Sequence, residues 1–178
     1  NIETFEQYQK EEAWTWEHQA LVRARAVYGN KKIIQQYNDI RRQVLIQLRK
    51  ESKLKQAVID MRNKMRGHLD KSTNKLCDIK QGKGGLVDIE FLTQYLVLNY
   101  SAKYPEVCIY SDNIRIFETL AKCHILTVKQ KDLLIDHYCQ LRNFGHKTSL
   151  QKESAMMEYQ QFDRFASGVT TIVQQFLA

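Results

Sequence analysis

The sequence predicts an all-α fold: an antiparallel helical bundle of about six to seven helices with one long glycine-containing loop. Three observations lead there. One proline and seven glycines in 178 residues leave long stretches without a helix breaker. The apolar residues in those stretches recur at steps of three and four, the period of a helix face. Pairs such as Thr4 with Gln7 and Thr127 with Gln130 fit the capping box, in which two side chains take up the free N–H groups that open a helix.

Taken in order, a first helix is expected to start near Thr4, to carry Ala13, Trp16, Ala20, Ala24 and Val27 on its core face, and to end at Gly29-Asn30. Trp14 and Trp16 face apart, and Trp16 is assigned to the core. Ile33, Tyr37, Ile40, Val44 and Leu48 mark a second helix, and Leu54, Val58, Met61 and Met65 a third before Gly67. These three read as antiparallel neighbours. From Gly67 to Gly85 the periodicity lapses over more than the roughly 12 to 15 residues usual for a structureless loop in a compact domain, which makes this segment the first place to look for function. Leu86 to Tyr100 is apolar nearly all round, as a central buried helix must be, and Tyr104-Pro105 ends it. Ser111 or Asp112 caps a short helix bearing Ile114, Phe117 and Leu120, and Thr127 opens another with Leu134, Tyr138 and Leu141. Phe162, Phe165, Val169, Ile172 and Phe176 define the last helix, where Gly168 is a weak point of about 1 kcal/mol against alanine. With no repeat or linker in view, residues 1–178 read as a single helical domain.

Lysine and arginine exceed aspartate and glutamate by 27 to 20, a net charge of +7. That balance suits a phosphate-rich or acidic partner, but the charges are spread through every segment and interleaved with acids. A free-standing basic module binding nucleic acid is the competing reading from another class, and no recognisable DNA- or RNA-binding motif supports it. No apolar run reaches the roughly 18 residues a membrane span needs. Nothing near Asn1 resembles a secretion signal, so a soluble, cytoplasmic protein with no membrane partner is expected, Asn1 being read as a boundary within a longer chain. Cys77, Cys108, Cys123 and Cys139 include no C-x-x-C pair, which argues against a zinc site or a disulfide framework; free thiols are expected.

The most informative stretch is Cys77-Asp78-Ile79-Lys80-Gln81-Gly82-Lys83-Gly84-Gly85-Leu86-Val87-Asp88-Ile89-Glu90-Phe91. It runs a glycine-rich turn straight into a buried helix, a geometry that presents free backbone N–H groups and, with Lys80 and Lys83, suits a phosphate or carboxylate. It is neither a P-loop nor a dinucleotide fingerprint. On spacing alone a purely structural turn is the simpler account.

This stretch resembles the D-I-K-x-G-x-G-G-[LI]-x-D-I-E-F signature of the glutamine-synthetase adenylyltransferases. Trp14-Thr15-Trp16-Glu17-His18-Gln19-Ala20-Leu21-Val22-Arg23-Ala24-Arg25 is similar to a second hallmark of that family. Met61 to Arg66, Ser111 to Ile116 and Leu141-Arg142 with His146 extend the likeness over most of the chain, the last helix least. Asp78-Ile79-Lys80 and Asp88-Ile89-Glu90-Phe91 resemble the C-terminal, adenylylating copy of the two fused units in that family. The PII uridylyltransferases share a related loop but not the tryptophan motif.

The resemblance implies a helical domain behind a catalytic nucleotidyltransferase domain that is expected upstream and is absent here. It implies transfer of AMP from ATP to a tyrosine of glutamine synthetase, with removal of it elsewhere in the full protein, a need for Mg²⁺, and regulation through glutamine and the PII signal protein. No catalytic residue and no metal ligand is expected within this chain: the G-S and D-x-D carboxylates are not found, and Asp88 and Glu90, about 200° apart on a helix, cannot chelate one ion. Lys80, Gly84, Gly85, Asp78, Asp88 and Glu90 are the nucleotide- or cleft-facing candidates. The charged members have a second reading as ion pairs and caps that tie the loop down, and both roles are compatible. Glu17, Arg23, Arg25, Arg142 and His146 are candidates for an interface with the catalytic domain.

Overall fold

The computed structural model describes residues 1–178. Its order is α1 (Ile2–Glu11), α2 (Thr15–Arg23), α3 (Lys31–Leu45), α4 (Glu51–Leu69), β1 (Leu76–Asp78), α5 (Leu86–Tyr100), a 3₁₀ turn (Pro105–Cys108), α6 (Asn113–Lys122), α7 (Val128–Leu150), β2 (Met156–Glu158) and α8 (Tyr159–Leu177). The all-α expectation holds, with eight α-helices and a small sheet that periodicity does not announce. No helix is long and apolar enough to cross a membrane.

α5 is the hub. Ten of its fifteen residues are buried, and a helix that is apolar around its whole circumference needs a neighbour on every side. α2, α4, α6, α7, α8 and the 3₁₀ turn supply them. Ile89, Leu92, Leu96 and Val97 are wholly covered, at the centre of a core cluster that reaches from Leu21 to Ile172. The expected caps of the later helices are in place: Asp112 Oδ1 accepts from the Arg115 N–H at 3.0 Å, and Thr127 exchanges bonds with Gln130 at 2.9 and 3.2 Å.

Other boundaries differ from expectation, each for a local reason. The first helix is two. Asn1, not Thr4, caps α1, its Oδ1 accepting from the Thr4 N–H at 2.8 Å. The chain then kinks over Glu12 to Trp14, because the Glu17 carboxylate reaches back to the Trp14 N–H at 2.9 Å and opens a new helix. The kink lets α1 lie on α3 while α2 packs against α3, α4 and α5. It also resets the helical phase, so Gln19, Leu21 and Val22 turn inward while Trp16 is 48% and Trp14 70% exposed. Trp16 is therefore not a core residue, and Ala20 and Val27 are exposed as well.

Asn30 caps α3 through the Lys32 N–H at 2.9 Å instead of ending the first helix. α3 stops at Leu45, where Arg49 folds back onto the carbonyls of Val44 at 2.8 Å and Leu45 at 3.0 Å, and Leu48 is left in solvent. Gly67 lies inside α4, which runs on to Leu69, with open space where its Cβ would be. Gly168 is not simply a weak point: a Cβ there would stand 2.9 Å from the Leu133 side chain, so the missing methyl lets α7 approach α8. The segment from Gly67 to Gly85 is not structureless. β1 pairs antiparallel with β2, Leu76 opposite Glu158, Cys77 opposite Met157 and Asp78 opposite Met156.

Candidate functional site

The loop between β1 and α5 is built by its first aspartate. Asp78 Oδ1 accepts from the backbone N–H groups of Lys80 at 2.8 Å and Gln81 at 3.0 Å, bending the chain as an Asx turn. The Asp78 carbonyl then accepts from Gly82 N–H at 2.8 Å, and the Gly82 carbonyl from Gly85 N–H at 2.9 Å. The carbonyls of Ile79 and Lys80 receive the Leu86 and Val87 N–H groups at 3.0 and 3.1 Å. The loop thus folds back over the start of α5 and caps it from within. The free N–H cradle expected from the sequence does not form, since Gly85 N–H is spent on Gly82 and Gly84 N–H donates to Asp88 Oδ2 at 2.6 Å.

Asp88 is the centre of this arrangement. Only 4% exposed, it accepts from Arg62 Nε at 2.5 Å, from an Arg66 terminal nitrogen at 2.7 and 2.9 Å, and from Gly84 N–H. Arg62 also donates to the Gln81 carbonyl at 2.7 Å and its Oε1 at 3.2 Å, and its guanidinium lies 6.0 Å from the Phe91 ring centre. A buried carboxylate must be paired, and here two guanidinium groups face one carboxylate, leaving one positive charge in excess behind the loop. The glycines set the close approach. Gly84 has φ +83°, and a Cβ there would stand 2.6 Å from the Ala166 carbonyl oxygen and 2.8 Å from its Cβ, so α8 lies directly on the loop backbone.

On the outer side Lys80 and Lys83 are exposed and make no ion pair or side-chain hydrogen bond. What the loop offers an anion is therefore mainly side-chain charge, since of its amides from Lys80 to Gly85 all but that of Lys83 are bonded within the fold. Beside it opens a cleft of about 500 Å³ between the loop and α8, lined by Ser72, Cys77, Gly82, Lys83, Phe162 and Asp163 among others. Burial, with help from the nearby Asp70 and Asp163 carboxylates, pushes the Cys77 thiol above its ordinary pKa. Glu90, half-buried on α5, makes no side-chain hydrogen bond or ion pair.

The five interface candidates divide. The Glu17 carboxylate is held by the Trp14 N–H and the Tyr8 hydroxyl, which keep it below its usual pKa, and Arg23 donates to Asn113 Oδ1. Arg25 and His146 are exposed without side-chain partners, and Arg142 is exposed but stacks on Tyr138 at 5.5 Å. Arg62, Arg66 and Gln81 complete the site, and sequence reasoning passed over them. The signal was present: Leu54, Val58 and Arg62 are the three buried residues of α4 and step by four, so Arg62 sits where the apolar stripe continues. Arg41 is a parallel case, 7% exposed and held by the carbonyls of Leu21 at 3.0 Å, Val22 at 2.7 Å and Cys108 at 2.6 Å.

Comparison with known proteins divides the chain near the start of α4. Residues 1–40 match the family model described as glutamate-ammonia ligase adenylyltransferase, and residues 51–166 match the one described as GlnD PII-uridylyltransferase. Over 176 residues, 99% of this chain, the bifunctional glutamine synthetase adenylyltransferase/adenylyl-removing enzyme of Shewanella oneidensis is 44% identical. The enzyme of the same description from Shewanella loihica is 42% identical over the same share. The chain spans 18% of the length of each of these relatives.

Proposed function

Since the chain belongs to the glutamine synthetase adenylyltransferase family, we propose that it is the helical domain of the C-terminal, adenylylating half of such an enzyme. In this reading the domain stands behind a nucleotidyltransferase domain elsewhere in the polypeptide and braces its active site. The enzyme transfers AMP from ATP to a tyrosine of glutamine synthetase, removes it at the other half, and works in the cytoplasm under PII control. The observation that carries the reading is the braced loop: a chain with relatives of that description spends a buried Asp88, two arginines and two tightly packed glycines on fixing the backbone that bears Lys80 and Lys83.

The two aspartates of this loop are not placed to hold Mg²⁺. Asp88 is saturated by guanidinium groups and the Gly84 N–H, and Asp78 Oδ1 is taken by two backbone amides. The ion is assigned to carboxylates outside residues 1–178. What this chain supplies to ATP is positive charge at Lys80 and Lys83, with the loop as a rigid mount. The uridylyltransferase alternative is disfavoured because the relatives that match nearly the whole chain are described as adenylyltransferases. A nucleic-acid module is disfavoured because Arg41, Arg49, Arg62 and Arg66 are spent on carbonyls and Asp88 inside the fold.

Label transfer from ATP to glutamine synthetase by the full-length gene product tests the reading. Lys80→Ala should lower kcat by about 30- to 1,000-fold, the equivalent of about 2 to 4 kcal/mol of lost charge stabilisation. Its melting temperature should not move, since Lys80 is exposed and unpaired. Residues 1–178 alone should transfer no label. An unchanged kcat in Lys80→Ala would remove the lysine from the nucleotide, and robust transfer by residues 1–178 alone would overturn the supporting role.

A further inference from the structure

One residue of the tryptophan motif, His18, takes no part in the braced loop. It is half-buried and has both ring nitrogens engaged: Nε2 lies 2.9 Å from the Gln9 carbonyl oxygen on α1, and Nδ1 lies 3.2 Å from an Arg49 terminal nitrogen. A guanidinium only donates, so Nδ1 accepts and Nε2 carries the proton that the carbonyl receives. The imidazole is therefore neutral and in one tautomer. Arg49 is not free to turn away from a second proton, because it also donates to the carbonyls of Val44 at 2.8 Å, Leu45 at 3.0 Å and Gln47 at 2.9 Å.

α1 has few other ties. Gln9 is its one buried residue, and the Gln9 Oε1 has no hydrogen-bond partner. The Phe5–Tyr37 stack, with ring centres 5.8 Å apart, the partly buried Ile2 and the Tyr8–Glu17 bond supply the rest. An element with so few buried contacts opens locally before the molecule unfolds. Arg49 and Glu17 are the charges that bear on the His18 ring, and the Glu17 carboxylate is occupied by the Trp14 N–H and the Tyr8 hydroxyl. Around α2, α1 and its cap bring Tyr8 and Glu12, and α3 brings Arg41, already bound to the carbonyls of Leu21 and Val22. α4 brings Asp60 and Lys64 beside Trp14 and Trp16, and α5 the uncharged Gln94.

We propose that His18 is a proton-controlled latch for α1: a second proton on the ring turns the Nδ1 acceptor into a donor facing Arg49, the ring leaves its place, and α1 loses its bond at Gln9 and lifts from the bundle. Burial, with the Arg49 charge, holds the pKa of His18 below its ordinary value while α1 is closed. Opening returns the ring to its ordinary value of about 6.5, so the open form binds more protons and opening grows as pH falls below that value. The latch depends neither on the reaction proposed above nor on Lys80 and Lys83.

Hydrogen–deuterium exchange of the purified full-length product, read by mass spectrometry from pH 7.5 to 5 and corrected for the intrinsic pH dependence of amide exchange, tests it without a catalytic readout. The α1 amides are expected to open more readily as pH falls, by up to about tenfold per pH unit because one proton is involved, while those of α5 stay protected. His18, followed through exchange of its ring C2 proton, should titrate below about 6.5. In His18→Gln the α1 exchange should lose its pH dependence. Exchange at α1 that is flat in pH, a His18 that titrates at or above its ordinary value, or a pH dependence that persists in His18→Gln would each overturn the latch. Should the variant not fold, the two wild-type readings decide. Loss of AMP transfer with the α1 response intact counts against the proposed function and leaves this inference standing.

Discussion

Replacing Asp88 by alanine tests the idea that one buried carboxylate holds the loop. The variant leaves the Arg62 guanidinium, whose side chain is 7% exposed, without its anion, and leaves Gly84 N–H without an acceptor. Breaking a buried ion pair by removing one partner costs about 3–5 kcal/mol, a cost that already covers much of the lost hydrogen bonding. Arg66 adds little, because at 29% exposure it can turn towards water. A loss of about 4 kcal/mol, at about 2–4 °C per kcal/mol for a domain of this size, lowers the melting temperature by about 8–16 °C. The Arg115–Asp112 pair is the control. Its N–O distance is the same 2.5 Å, but the partners are 56% and 37% exposed, so Arg115→Ala should cost less than about 1 kcal/mol. Thermal unfolding followed by circular dichroism compares the two variants. If Asp88→Ala melts no earlier than Arg115→Ala, the carboxylate does not support the loop and the argument built on it fails.

Gly84→Ala should cost about 2–6 kcal/mol, combining a left-handed φ with a Cβ forced against the Ala166 backbone, and should reduce AMP transfer by the full-length enzyme even below its melting point; normal turnover would show that the loop position is not critical. Arg41→Ala should lower stability by about 3–5 kcal/mol in the same melting assay, because carbonyls at the C-terminal end of α2 lose their charged donor, with Arg41→Lys recovering only part of the loss. Stability should fall as pH drops below about 6.5. Burial holds the pKa of both His18 and His137 below that ordinary value, so the unfolded chain binds more protons there and gains on the folded one. Melting temperatures measured from pH 7.5 to 5 should show the decline, and replacing both histidines by glutamine should flatten it.

The helical class, the buried α5 and the caps at Asp112 and Thr127 were legible because each is written within a few consecutive residues. The β1–β2 pair was not, since Cys77 meets Met157 across eighty residues and three-residue strands carry no period. The Trp16 misassignment has a different origin. A helix face inferred over many residues assumes an unbroken phase, and the bond from Glu17 to the Trp14 N–H ends one helix and starts another inside that span. Arg62 lies in the Met61 to Arg66 stretch of the likeness and continues the Leu54 and Val58 stripe, but a charged residue on that stripe identifies no partner in the sequence; only the tertiary position of Asp88 explains its burial.

The site itself shows why a signature can be specific and still mislead about chemistry. In Asp78-Ile79-Lys80-Gln81-Gly82-Lys83-Gly84-Gly85-Leu86-Val87-Asp88, the first aspartate bends the loop, Ile79 is buried, Gln81 receives Arg62, Gly84 and Gly85 admit neighbouring backbone, and the last aspartate anchors the arginines. Each of these residue types has a structural reason to be where it stands. Lys80 and Lys83 are the charged positions of the loop for which the fold has no use. Any action of this loop on an anionic ligand therefore rests on those two side chains, with the Lys83 N–H as the one loop amide left without an acceptor. Lys83 borders the cleft against α8 and Lys80 does not. A ligand held in that cleft would make Lys83→Ala the more damaging change, whereas a nucleotide presented from another domain on the loop's outer side would make it Lys80→Ala. Measuring kcat for both variants in the full-length enzyme decides between the two faces, and equal, negligible effects would confine the whole loop to a structural role.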